Sequence, residues 1–191
     1  MKKYELTSNF KMYSDKKIFQ IRALVNLENG VKVGELGGWI EKEENLSHIG
    51  DAWVSGNAKI IGDACVTDNA CVTDNAWVRD NAHVAGDAHV ANNAWVSGDA
   101  WVRDNAWVTG KAHVAGNAWV SKIADLLQIT GLGTVHRTTT VYRTKNGIEI
   151  TRGCFCGNLE QFREQVVKTR EGKVRDEYLK FAELIEIYFR L

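Results

Sequence analysis

The sequence contains no proline, only four cysteines, no net charge and no long apolar run. Four cysteines in 191 residues are too few for a disulfide scaffold, and cytoplasmic thiols would stay reduced. The 24 basic and 24 acidic side chains leave no basic excess of the kind that general nucleic-acid or membrane-surface binders carry. No run of about 18 apolar residues predicts a membrane span, and none follows the basic start to form a signal peptide. We therefore expect a soluble cytoplasmic protein.

A six-residue repeat occupies the middle of the chain. Alanine recurs at every sixth position from Ala52 to Ala118, and a valine or isoleucine stands two residues after each alanine. Each Ala-x-Val predicts a short strand whose alanine and valine share one face, and the Gly, Asn and Asp residues that follow tolerate the positive φ of a tight corner. Because so short a strand buries little alone, these twelve units predict a solenoid whose stacked coils complete the core.

This pattern resembles the hexapeptide repeat of left-handed β-helix proteins, in which a small residue follows an aliphatic one by four positions, as Ala58 follows Val54. The resemblance implies an all-β core formed by a single-stranded left-handed parallel β-helix, with three units in each coil. Residues 51–121 would then form four coils at the roughly 4.8 Å spacing of paired strands. Trp39, Ile40 and Leu46 keep the same phase, so we expect one irregular coil before them. The family habit also implies a homotrimer.

The two flanks resemble a branch of hexapeptide-repeat proteins found in bacteria and their phages. Residues 37–47 (Gly-Gly-Trp-Ile-Glu-Lys-Glu-Glu-Asn-Leu-Ser) are similar to the segment that leads into the β-helix in that branch. The pattern from Thr138 to Phe162 is similar to its C-terminal domain. The resemblance implies a phage or prophage setting in a bacterial host cell, and it brings no activity with it.

The chain divides into three predicted segments. Residues 1–36 are expected to form an N-terminal β-hairpin cap, residues 37–122 the β-helix, and residues 123–191 a small C-terminal ββαα module. In the cap we expect strands over 18–25 and 31–36, joined by the turn signal at residues 29–30 (Asn-Gly).

The C-terminal module has its own local signals. A second hairpin is predicted from strands over 138–145 and 148–152, joined at residues 146–147 (Asn-Gly). Asn158, with Gln161 three residues later, predicts the start of one helix. An apolar stripe predicts a second helix that runs to the C-terminus, through Val174, Tyr178, Phe181 and Ile185.

The side chains between alanine and valine point outward, and six of these twelve are tryptophan. Positions 18 residues apart stack on one face, so the repeat places Trp77 beside Trp95 and Trp101 beside Trp119. Each tryptophan covers about 150–250 Å² when buried, which is too much apolar area to leave in water. We expect these four tryptophans to form the homotrimer interface. The alternative is that the hairpin or the C-terminal helices of the same chain cover some of them.

Left-handed β-helix enzymes include acyl-CoA-dependent acyltransferases, and the resemblance keeps that activity as the alternative function. Such enzymes use a histidine as general base, and the candidates here are His83, His89 and His113. They usually also carry a loop that walls the acyl donor, whereas no insertion interrupts residues 51–121. Cys65 with His83, and Cys71 with His89, supply pairs rather than the ligand set of a zinc site. We therefore predict no catalytic residue, no metal and no cofactor.

A stretch rich in glycine, threonine and arginine is the candidate ligand site. Residues 123–191 hold 11 basic side chains, whereas residues 51–122 hold 5 basic against 8 acidic ones. Glycine permits close backbone approach, hydroxyl groups donate, and guanidinium groups pair bidentately with phosphate or carboxylate. The predicted contacts are Gly131, Gly133, Thr134, Arg137, Thr138, Thr140, Arg143 and Arg152. The sequence thus predicts a non-enzymatic oligomeric binding or scaffold protein for a small anion such as a nucleotide; the alternative is an edge strand with solvated arginines.

Overall fold

The computed structural model describes residues 1–191 and shows a β-solenoid of about five turns, followed by an antiparallel sheet and two helices. This confirms the stacked parallel architecture predicted from the repeat, while the left-handed sense stays a prediction. Neither helix combines the length and the apolar composition that a bilayer crossing requires.

Three long strands precede the repeats: β1 (Tyr4–Tyr13), β2 (Lys16–Ala23) and β3 (Leu36–Ile40). Strands β4 to β15 have two residues each, and they are Trp53–Val54, Lys59–Ile60, Cys65–Val66, Cys71–Val72, Trp77–Val78, His83–Val84, His89–Val90, Trp95–Val96, Trp101–Val102, Trp107–Val108, His113–Val114 and Trp119–Val120. The C-terminal part contains β16 (Leu126–Ile129), β17 (Thr139–Thr144), β18 (Gly147–Arg152), β19 (Phe155–Gly157), α1 (Leu159–Thr169) and α2 (Gly172–Phe189). Short 3-10 turns at Glu43–Asn45 and Ile123–Asp125 flank the repeats.

Each coil contributes one strand to each of three parallel sheets. The sheets run β3-β5-β8-β11-β14, β4-β7-β10-β13 and β6-β9-β12-β15, with partners 18 residues apart, as Trp95 pairs with Trp77. The alanine and the valine or isoleucine of every repeat point inward and are at most 1% exposed. These small and β-branched side chains fill a core too narrow for larger ones, so the six-residue spacing fixes which residues form it.

The corners of the coils depend on residues with positive φ. Gly98 has φ +68, and a Cβ there would lie 2.9 Å from the backbone nitrogen of Gly116 in the next coil. At Asp74 (φ +60) and Asp80 (φ +63), which occupy this position, the carboxylate accepts a hydrogen bond from the next coil. Asp80 Oδ2, for example, lies 3.1 Å from the amide nitrogen of Gly98. Positive-φ residues thus turn the chain at the corners, and hydrogen bonds hold the corners of successive coils together.

The N-terminal hairpin lies earlier in the chain than the sequence predicts. Strands β1 and β2 pair around residues 14–15 (Ser-Asp), with Ser14 at φ +54, and β2 then pairs antiparallel with β3. The predicted strand over 18–25 corresponds to β2, whereas the predicted strand over 31–36 and the hairpin between them are wrong, because the Asn-Gly turn at 29–30 joins loop residues. Asn29 donates its side-chain amide to the carbonyl of Asp51, which ties this turn to the first regular coil.

The C-terminal sheet has four strands in the order β16-β17-β18-β19, rather than the two that were predicted. Strands β16 and β19 were missed because each is short and lacks a hairpin signal of its own. The hairpin of β17 and β18 and both helices are confirmed, although the hairpin turns at residues 145–146 (Lys-Asn) rather than at 146–147.

Two fully buried tyrosines lie at the two ends of the solenoid core. Tyr4 packs into the first coil, and its hydroxyl lies 2.8 Å from the carbonyl oxygen of Glu43 and 2.9 Å from that of Leu46. Tyr142 packs against the last coil, and its hydroxyl donates to Glu149 Oε2 at 3.2 Å. The hairpin and the C-terminal sheet thereby cover strand edges that would otherwise be open to pairing with other chains.

Candidate anion-binding site

A cavity of about 160 Å³ lies between the C-terminal sheet and the two helices. Three arginines from separate elements line it: Arg137 from the connection between β16 and β17, Arg152 at the end of β18, and Arg170 between the helices. Phe155, Phe162 and Tyr178 form its aromatic wall. The cavity therefore combines guanidinium groups with an apolar surface.

Helix α1 positions one side of this cavity through its ordinary local signals. Asn158 Oδ1 accepts from the amide nitrogen of Gln161 at 2.9 Å, and Gln161 Oε1 accepts from that of Asn158 at 3.0 Å. The helix buries Phe162 and Val166 in the C-terminal core, so the face it turns inward is apolar. Its end after eleven residues places Arg170 at the cavity.

None of the three arginines is neutralised by the protein. Of the ten arginines in the chain, five form ion pairs, namely Arg22, Arg79, Arg103, Arg143 and Arg163. Arg137, Arg152 and Arg170 form no ion pair and donate no side-chain hydrogen bond, and the Nε atom of Arg152 is buried without a partner. The guanidinium of Arg152 lies over the ring of Tyr178, 4.8 Å from its centroid. The Tyr178 hydroxyl is fixed in turn by donating to the carbonyl of Leu132 at 2.9 Å.

An open groove of about 440 Å³ adjoins the cavity and shares Arg137 and Arg152 with it. Its other polar residues are Lys111, His113, His136, Thr138 and Thr151, and no carboxylate lines either the groove or the cavity. Burial lowers the pKa of His113 below its ordinary value, and the charge of Arg79 lowers it further. The permanent positive charges of the groove are those of the lysine and the two arginines.

The structure brings together part of the predicted ligand set. Arg137, Thr138 and Arg152 line the groove. Arg143 lies elsewhere: it donates to the carbonyl of Phe189 at 2.9 Å, and its Nε atom is 3.6 Å from Asp125 Oδ1.

The remaining predicted contacts lie outside the cavity and the groove. Thr140 is buried and accepts from the amide nitrogen of His113 at 3.1 Å. Gly133 donates its amide to Glu177 at 3.2 Å, and neither it, Gly131 nor Thr134 lines the cavity or the groove.

Sequence reasoning missed Arg170, Lys111 and Tyr178. Arg170 is 33 residues from Arg137 and belongs to no local motif, so only the packing of the helices on the sheet reveals its place. Lys111 carried a signal, because it stands at a corner position that asparagine or aspartate fills in the other ten of the first eleven units.

The predicted interface tryptophans form two outward stacks. The ring centroids of Trp77 and Trp95 are 5.3 Å apart, and those of Trp101 and Trp119 are 5.6 Å apart. Tyr13 of the hairpin packs edge-on against Trp77 at 4.4 Å, so the same chain partly covers one stack. Trp95 remains 37% exposed.

The outward histidines pack on tryptophan rings, and the outward cysteines are half-buried. His83 stacks on Trp101 with centroids 4.4 Å apart, His89 packs on Trp107, and no carboxylate contacts either ring. Burial raises the pKa of the Cys65 and Cys71 thiols, which disfavours the nucleophilic thiolate. No group of three metal-binding side chains is brought together.

Comparison with models of known protein families finds no match for this sequence, and no curated protein matches it. The chemistry of the site therefore rests on its geometry.

Proposed function

We propose that the protein is a non-enzymatic binding scaffold whose C-terminal module holds a small anion. One observation carries this proposal: Arg137, Arg152 and Arg170 surround a single cavity without any acidic partner. Guanidinium groups brought together in a partly apolar site repel one another, and an anion relieves that repulsion while it forms charge-assisted hydrogen bonds. Their planar donors suit phosphate and carboxylate groups.

The solenoid supplies the scaffold in this proposal. It works as a homotrimer in the cytoplasm of a bacterial host, in a phage or prophage setting, with the two tryptophan stacks at the subunit interfaces. The stacked pairs support this assignment because each presents a flat, half-buried apolar strip along the coils. Such strips are typical of surfaces that other subunits cover.

Calorimetric titration with nucleotides at low ionic strength tests the anion site. Arg170→Ala should weaken binding about ten- to hundredfold, because one charge-assisted hydrogen bond contributes about 1.5–3 kcal/mol. Arg175→Ala is the matched control, since Arg175 is also without an ion pair but lies on α2 outside the cavity. The proposal fails if no heat is observed, or if Arg170→Ala binds as tightly as the wild-type protein.

A further inference from the structure

Building on the proposed anion site, we infer that the ligand is a nucleoside diphosphate or triphosphate. Its base enters the cavity and accepts a hydrogen bond from Arg170, and its phosphates lie against Arg137 and Arg152, which the cavity and the groove share, and along the groove. The cavity and the groove are two compartments of different chemistry that share one wall, Arg137 and Arg152. A ligand that fills both needs a ring at one end and several negative charges at the other.

The size of the cavity limits what enters it to one ring system. Its volume of about 160 Å³ is close to that of engineered apolar cavities of about 150 Å³, which hold a benzene molecule. A whole nucleotide exceeds this space, so the charged part must lie outside. The adjoining groove is the space that remains on the far side of the two shared arginines.

The walls of the cavity favour an aromatic ring that carries polar atoms. Phe162 packs against Phe155 and Tyr178, with centroid distances of 5.6 and 6.1 Å. The guanidinium of Arg152 is already stacked on Tyr178, and such planes also stack on nucleobases. The Gln165 amide adds a donor and an acceptor, and the Thr169 hydroxyl, which donates to the carbonyl of Gln165, adds a further acceptor. A base can use these groups and a plain hydrocarbon ring cannot.

The groove provides for more than one phosphate. Lys111 joins Arg137 and Arg152 there, Thr138 adds a hydroxyl group, and no carboxylate opposes these charges. The three cations of the groove carry more positive charge than the roughly two negative charges of a single phosphate group can balance. Two or three linked phosphates supply the missing charge.

Lys111 is an independent indication that the solenoid takes part. The same corner position holds asparagine or aspartate in ten of the first eleven units, from Asn57 to Asn117, and Lys111 is the exception. Those side chains bond to one another between coils, as Asn81 does to Asp99 at 2.9 Å. Lys111 is the one cation at this corner position, and it lines the groove of the C-terminal module. The bound nucleotide would therefore contact both parts of the chain.

The experiment is a calorimetric comparison of inorganic pyrophosphate, the four common ribonucleoside monophosphates and the corresponding diphosphates, each tested alone. At least one diphosphate should bind about tenfold more tightly than its monophosphate and than pyrophosphate, since each compartment adds contacts of that strength. Lys111→Asn introduces the residue type found at the equivalent corners. It should remove the higher affinity for the diphosphate and leave the affinity for the monophosphate unchanged. Lys180→Asn removes the same charge from the exposed face of α2 and should have no effect.

A second variant tests the placement of the base. Gln165 is exposed on α1 and borders the cavity, so Gln165→Trp should fill the cavity without disturbing the core. It should abolish the preference for nucleotides over pyrophosphate, with a circular dichroism spectrum like that of the wild-type protein. Equal affinity for monophosphate and diphosphate, together with unchanged binding by Lys111→Asn, would overturn this inference and leave the anion site standing. Absence of binding by every compound would overturn both.

Discussion

The corner aspartates of the solenoid have two roles that single substitutions can separate. Asp74 adopts φ +60, and its carboxylate accepts hydrogen bonds from the backbone and side-chain nitrogens of Asn92 at 2.9 and 3.0 Å. The first role needs a residue that tolerates the left-handed conformation, and the second needs an acceptor. Aspartate supplies both, whereas glycine supplies only the first.

We expect Asp74→Gly to stay within about 1 kcal/mol of the wild-type free energy of unfolding, because it loses an exposed hydrogen bond but relieves backbone strain. Asp74→Ala should lose about 1–2 kcal/mol more, since alanine keeps the strain and provides no acceptor. Urea denaturation of the two variants measures the difference. Equal stability of the alanine and glycine variants would show that backbone conformation does not limit these corners.

Lys3, at the N-terminal end of the solenoid, should make the free energy of unfolding depend on pH. Its ammonium group donates to the carbonyl of Ala52 at 2.7 Å and to that of Gly50 at 3.2 Å, and the residue is 3% exposed. Burial lowers the pKa of Lys3 from 10.5 to about 8, and the nearby Asp51 partly opposes this shift. Between these two values the unfolded chain holds a proton that the folded chain does not.

The free energy of unfolding should therefore gain a rising contribution between pH 8 and 10.5, because deprotonation favours the folded state in that window. Lys3→Met should remove this contribution, which is measured as the difference between the two unfolding curves across the window. Lys2→Met is the control, since it removes the neighbouring lysine, which is exposed, and keeps Lys3. Parallel curves for the wild type and Lys3→Met would contradict the prediction.

At the scale of elements, similar local structures mark the two ends of the repeats. In the 3-10 turn before them, Asn45 Oδ1 accepts from the amide nitrogens of Glu41 and Lys42. In the turn after them, Asp125 Oδ2 accepts from those of Ser121 and Lys122. Each turn departs from the hexad spacing, and a buried tyrosine then covers the exposed end of the core.

Tyr142 should contribute far more through packing than through its hydroxyl. Tyr142→Ala removes a fully buried ring and should lower the free energy of unfolding by about 3–5 kcal/mol. Tyr142→Phe loses one hydrogen bond to Glu149 and should lower it by about 1 kcal/mol. Thermal and urea unfolding of both variants measure these losses. If the two variants are equally stable, the ring does not close the core as described.

At the scale of the whole molecule, the tryptophan stacks form the contacts between copies of the chain in the proposed trimer. The two stacks lie on different sheets, β8-β11 and β12-β15, so each copy offers two surfaces of the kind a closed ring needs. Trp107, on the third sheet, is the most exposed of these rings at 55% but has no tryptophan partner.

Light scattering should give a mass three times the 21.4 kDa of one chain. The double variant Trp95→Asp, Trp101→Asp should dissociate into single chains while it keeps a β-type circular dichroism spectrum, because both changes lie outside the core. Trp107→Asp is the matched control and should remain assembled. A wild-type mass of a single chain would rule out the trimer.

Much of the fold was predictable because the same six-residue pattern recurs twelve times. Inward alanine and valine, positive-φ corners and the 18-residue pairing all follow from one six-residue spacing, and every one is present. The N-terminal hairpin was placed wrongly because residues 14–15 (Ser-Asp) turn the chain without the glycine that normally marks such a turn. Strand β19, only three residues long, carried no pattern at all.

The solenoid, its core and its outward rows follow from the six-residue spacing, since the side chains that build them recur at fixed intervals along the chain. The cavity lined by three arginines follows only from the tertiary packing. Arg137, Arg152 and Arg170 come from a loop, a strand end and a helix junction, and they meet only because the helices pack on the sheet. The tertiary packing also separated Arg143 from them, because Asp125 and the carbonyl of Phe189 hold that side chain elsewhere. Local spacing encodes a repeat, whereas a site assembled from distant segments depends on packing.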